Sequence, residues 1–116
     1  LLTSWGSDVR RVRREVRAAT AEQWRGWAAQ VIERCRTNAL PPREAEWPDF
    51  VRRVAVPPSN WAVMVQSKGP PLVSLLSPGA VRGVGVAIGS PDYVDQGGDR
   101  RKSWMIYPGV YVWEAY

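Results

Sequence analysis

Residues 8–36 read DVRRVRREVRAATAEQWRGWAAQVIERCR, and the way this stretch folds decides the architecture. Val9, Val12, Val16 and Ala19 recur at three- and four-residue steps, the repeat that gathers side chains on one face of an α-helix. Trp24, Trp27, Ala28, Val31, Ile32 and Cys35 form a second stripe nearly in phase with the first. The phasing favours one long helix over residues 8–36, about 43 Å from end to end. Thr20 followed by Gln23 is a capping-box pattern, so a break, if there is one, falls near residue 20. Ser7 and Asp8 suit a helix start, and Asn38 with Pro41-Pro42 suits its end.

Downstream the period changes. Residues 39–47 read as a linker, and Pro48-Asp49 opens a short helix with Phe50, Val51 and Val54 facing inward. After Pro57-Pro58 the pattern alternates, with strands expected at Trp61–Gln66, Leu72–Leu76, Val81–Ile88, Ser103–Tyr107 and Val110–Tyr116. Ser77-Pro78-Gly79-Ala80 and Tyr107-Pro108-Gly109-Val110 carry turn signals. Pairing around Pro108-Gly109 would set Trp104 opposite Trp113 and Ile106 opposite Tyr111. Residues 89–102 read as the longest loop, charged and mobile. The expected fold is α+β: a long N-terminal helix packed on an antiparallel β-meander, in one domain over residues 1–116.

Composition bounds the function. A chain of 116 residues buries about two-thirds of its extended surface, enough for one modest core. It has no His, which removes His-based acid–base catalysis, Ser and Cys triads and most transition-metal sites. A single Cys excludes an internal disulfide, and Cys35 on the apolar stripe reads as an inert core thiol. Asp92, Asp95 and Asp99 do not follow the spacing of a calcium loop, and Arg100, Arg101 and Lys102 would oppose a cation. Gly83, Gly85 and Gly89 lie in a strand that leads into no helix, so they form no phosphate loop. No apolar run reaches the length of a membrane span. The chain begins at Leu1, without Met or a signal-peptide pattern, as a trimmed or incomplete start would. No enzyme, cofactor, metal or small-molecule substrate is therefore expected, and no membrane partner.

Two features ask for a partner. Seven Trp in so short a chain exceed what one modest core needs, which points to an interface. The net charge is +5, and 11 Arg against seven acids place most of it in residues 1–56. Arg10, Arg13, Arg14 and Arg17 share one helix face opposite Val9, Val12 and Val16. That face is either solvated or set against phosphates or carboxylates. Trp24 and Trp27 read as core, with Gly26 as a close-packing position. The candidate contact residues are Arg10, Arg13, Arg14, Arg17, Trp104 and Trp113.

In layout the chain resembles the neck and tail-completion proteins of long-tailed phages. The residues that carry the likeness are the helix Asp8–Arg36, the strand Val81–Ile88 with Gly83 and Gly85, and the ending Tyr111-Val112-Trp113-Glu114. Pro-rich segments replace the small-residue, Thr-Gly stretch usual in that family. The resemblance implies a structural, non-enzymatic subunit of a head–tail connector ring, located in the virion or in the cytoplasm of the producing cell. Its partners would be copies of itself and neighbouring particle proteins. The alternative is a small nucleic-acid-binding module that uses the Arg face for phosphates and exposed aromatics for bases.

Overall fold

The helical stretch breaks at residue 20. In the computed structural model, which describes residues 5–37, 40–56, 61–66, 68–77 and 83–116 (backbone alone for 5–8), α1 spans Trp5–Ala18 and α2 spans Ala21–Arg36. The single long helix favoured by phasing does not form. Thr20 is extended, with φ −83 and ψ 161. Its hydroxyl accepts the Gln23 N–H at 3.0 Å, while the Gln23 side chain accepts the Thr20 N–H at 2.8 Å. This box meets two donors that the start of α2 would otherwise leave bare. The carbonyls at the end of α1 are met as well. The Trp24 indole donates to the Val16 carbonyl at 3.0 Å, and the Tyr107 hydroxyl reaches the carbonyls of Arg17 and Ala19 at 3.1 and 2.7 Å. Local phase favoured continuity, but satisfaction of the backbone on both sides of the break outweighed it.

The linker holds a 3₁₀ turn at Glu44–Glu46, tied to α2 by an Arg34–Glu46 ion pair. Trp47 closes it, buried and donating to the Pro42 carbonyl at 3.1 Å. Helix α3 follows at Asp49–Val54 and buries Val51 and Val54, as its pattern predicts. The strands are β1 Ala62–Gln66, β2 Leu72–Leu76, β3 Gly83–Ile88, β4 Arg101–Tyr107 and β5 Val110–Ala115. Asn38, Pro57-Pro58, positions 78–80 of the expected turn, and Val81 lie outside the described residues.

All five strands are antiparallel, but they do not form a simple meander. The order is β1-β2-β3-β5-β4, so β5 inserts beside β3 and β4 takes an edge. Burial explains the choice. Every residue of β3 is buried, and so is the first half of β5, whereas β4 carries Arg101 and Lys102 and buries no residue fully. The most apolar strands occupy the centre, where both sides are covered. One face of the sheet meets the helices. Val73, Leu75, Val84, Val86, Ile88, Val110 and Val112 pack there against Val12, Val16, Trp24, Val31 and Val51 in one contiguous core. At the centre of the helical layer Trp24 meets Trp27 and Phe50 edge-on, with ring centroids 6.3 and 4.8 Å away.

The β4–β5 hairpin turns at Pro108-Gly109, where Gly109 has φ +82, a conformation that suits glycine alone. The expected cross-strand pairs are not the ones formed. Ser103 faces Trp113, Trp104 faces Val112 and Met105 faces Tyr111, with a bulge between Met105 and Tyr107. One extra residue in β4 slips the register by one, which sends alternate side chains to the other face. Trp104 therefore joins the helical side and Trp113 the opposite side; the two do not meet. Gly26 also differs from expectation. It is exposed, and a Cβ there would meet nothing within 4 Å, so it is not a close-packing position.

Candidate functional site

The arginines of α1 divide by role. Arg10, Arg14 and Arg17 are exposed, and none is ion-paired among the described residues. Arg13 is half-buried, with its guanidinium 4.7 Å from the centroid of the Trp104 ring. That stacking takes a face of Trp104 and pins Arg13, so neither is a freely presented contact group. Arg11 turns the other way and donates to the Arg53 and Val54 carbonyls at 2.9 and 2.7 Å. It meets acceptors left open at the end of α3. Sequence reasoning passed over Arg11 because its partners lie more than 40 positions away.

The second candidate surface is the sheet face turned away from the helices. Strand alternation and register place Ala62, Met64, Gln66, Leu72, Ser74, Leu76, Gly85, Ala87, Tyr111, Trp113, Ser103 and Met105 on it. Trp113 lies flat over Gly85, whose missing side chain makes room for it: a Cβ there would come within 2.2 Å of the indole. Arg101 covers the ring's other side, 4.6 Å from its centroid. Gly85 and Ala87 on β3 stand opposite Trp113 and Tyr111 on β5, small residues against large ones. That complement is visible in the sequence once the two strands are known to be neighbours.

Of residues 89–102, expected as a mobile surface loop, Arg101 and Lys102 open β4, and residues 89–100 are anchored over one end of this face. Tyr93 packs edge-on against Tyr111 at 5.7 Å. Asp95, with its side chain only 8% exposed, accepts from the Tyr93 hydroxyl at 2.9 Å, from Arg101 at 2.9 and 3.0 Å, and from the Ser103 hydroxyl. Burial, then the Asp95 carboxylate, pushes the Tyr93 phenol up to about 12. Beside this knot an open groove of about 390 Å³ runs between Met64, Leu72, Ser74, Arg101 and Trp113. Asp95 spends its charge on Arg101, and Asp92 and Asp99 stay exposed in solvent. Among the described residues no group of three His, Cys, Asp or Glu side chains could hold a metal.

Cys35 is half-buried, packed at the margin of the core rather than within it, and it shares the rim of a hollow with Ile32, Arg36, Pro41 and Val65. No described helix is long and apolar enough to cross a membrane. No family model matches the chain, and neither the curated proteins nor the solved structures contain a match to it.

Proposed function

We propose that this chain is a non-enzymatic assembly subunit that meets other copies of itself and neighbouring particle proteins through the open face of its sheet. One observation carries the reading. An antiparallel sheet with one face in water ordinarily turns polar side chains to that face. Here the face presents Met64 and Met105, 58% and 59% exposed, beside half-buried Leu72, Leu76 and Trp113. The Asp95 carboxylate over it is paired with Arg101, so among the described residues the face as a whole repels neither a like face nor an apolar partner. An exposed apolar surface of this kind is an aggregation hazard when bare and an interface when covered. The resemblance to phage neck and tail-completion proteins gives the reading its specific form, a ring-forming connector subunit of a virion.

A nucleic-acid-binding module is the second reading, and Arg10, Arg14 and Arg17 on one face of α1 favour it. It is weakened at Trp104 and Trp113, because each ring already carries an arginine where a base would stack. The two readings separate in one pair of measurements. Met105→Lys with Leu76→Lys should abolish higher-order assembly and leave the melting temperature close to that of the wild type. Arg10→Glu with Arg14→Glu and Arg17→Glu should change assembly little under the first reading. If the wild type instead binds DNA with a steep salt dependence that the Arg variant loses, the nucleic-acid reading replaces the assembly one.

A further inference from the structure

The two edges of the sheet are built differently. β4, at one edge, carries the devices that keep an edge from pairing: Arg101 and Lys102 near its start and a bulge between Met105 and Tyr107. β1, at the other, carries none of them. Ala62-Val63-Met64-Val65-Gln66 holds no charge and no proline, and it pairs with β2 in unbroken register from Ala62↔Leu76 to Gln66↔Leu72. Among the described residues no backbone group bonds to its outer edge. A row of unmet N–H and C=O groups on an uncharged strand is a template for another strand.

The sequence of β1 says which strand fits. Read outward from Met64 it is nearly symmetric, with Val63 and Val65 on either side and the small or uncharged Ala62 and Gln66 beyond. We propose that β1 is the self-association edge of this protein, and that two copies pair these strands antiparallel about a two-fold axis through Met64. The inference rests on the assembly reading above and adds the edge, the register and the symmetry. In this register Met64 meets the partner's Met64, Val63 meets the partner's Val65, and Ala62 meets the partner's Gln66. A two-fold contact requires that the same patch complement itself, and this register does so without setting charge against charge. Val63 and Val65 point to the helical side, where both pack at the margin of the core, so their pairs extend it across the join. The chain carries +5 overall, which opposes self-contact, and β1 adds no charge of its own to that repulsion. Both open faces then lie on one side of a ten-stranded sheet, where they remain available to further copies and to neighbouring particle proteins.

Single cysteines placed in a Cys35→Ser background test the register. Opposed Cα atoms in an antiparallel pair are about 4.5–5.5 Å apart, within disulfide reach. Met64→Cys should therefore oxidise to a covalent dimer. Ala62→Cys should not, because four residues of strand separate the two equivalent positions by about 13 Å. Mixing Ala62→Cys with Gln66→Cys should restore the cross-link. As an independent check, the Met64→Cys cross-link should persist when Met105→Lys, on the open face at the opposite edge, is added. If the wild type is oligomeric but Met64→Cys does not cross-link, or Ala62→Cys cross-links equally well, the β1 pairing is wrong and the assembly reading stands. If the wild type is monomeric at every workable concentration, both fall.

Discussion

Replacing Gly85 with Ala probes how the open face is built. The added methyl would sit 2.2, 2.4 and 2.7 Å from three atoms of the Trp113 indole, where real side chains do not come closer than 3.0 Å. β3 cannot retreat, because β2 and β5 hold it on both sides. The ring must then move outward by about 1 Å or more to regain ordinary contact. Overpacking of this kind costs about 1–3 kcal/mol. Losing the Arg101 stacking adds about 0.5–1 kcal/mol, discounted because Trp113 is partly exposed. The expected loss is about 1.5–4 kcal/mol in all. Gly26 supplies the control, since it lies within α2 with nothing within 4 Å of its absent Cβ. Ala there should stabilise the protein by about 0.5–1 kcal/mol, through helix propensity alone. Urea unfolding followed by far-ultraviolet circular dichroism reads both effects as shifts of the midpoint at constant slope. A Gly85→Ala variant within about 0.5 kcal/mol of the wild type would mean that Trp113 does not lie on Gly85, and the description of the open face would be wrong.

Trp27 is 5% exposed and meets Trp24 edge-on, so Trp27→Ala should cost about 3–5 kcal/mol; a loss under about 1 kcal/mol would place it at the surface. Thr20→Ala removes the N-cap of α2 and should cost about 1 kcal/mol, whereas Thr20→Ser should retain most of that stability; equal losses would show that the box does not hold the helix break. Tyr93 releases its proton at about 12 in the folded chain against 10.0 for an unperturbed tyrosine, so the stability it contributes is present below pH 10 and is lost as pH rises toward 12. Alkaline absorbance titration should therefore show a late component that is absent from Tyr93→Phe, and a wild-type titration unchanged by Tyr93→Phe at its high-pH end would contradict that placement.

The strands were legible because alternation survives locally. β2 matches its expected bounds, and β1 and β5 differ from theirs only at their ends. The helix break was legible in Thr20 and Gln23, but apolar phase argued for continuity and nothing local could weigh the two. What decided it came from farther away: the Tyr107 hydroxyl, 88 positions from Ala19, closes the end of α1. The hairpin register was not legible. A bulge at Ile106 leaves no mark that separates MIYPG from an unbulged strand, yet it puts Trp104 and Trp113 on opposite faces of the sheet. The strand order was equally hidden, because the 89–100 segment permits β4 to land on either side of β5 and only the burial balance chooses. Of the candidate contact residues, Arg10, Arg14 and Arg17 lie exposed as the helix pattern places them. Arg13 and Trp104 are turned to each other by a contact that spans 91 positions. The apolar open face emerged only from the register, since Met64, Leu72 and Leu76 read as ordinary strand residues until their side of the sheet is known.

Self-assembly is the claim on which the functional reading depends, and sedimentation equilibrium of the purified protein tests it most directly. Over a wide range of concentration at moderate and high salt, the mass should be a multiple of 13.0 kDa and should vary little with salt, because uncharged strand edges and apolar side chains make the contact. A mass of 13.0 kDa at every concentration reached would contradict it.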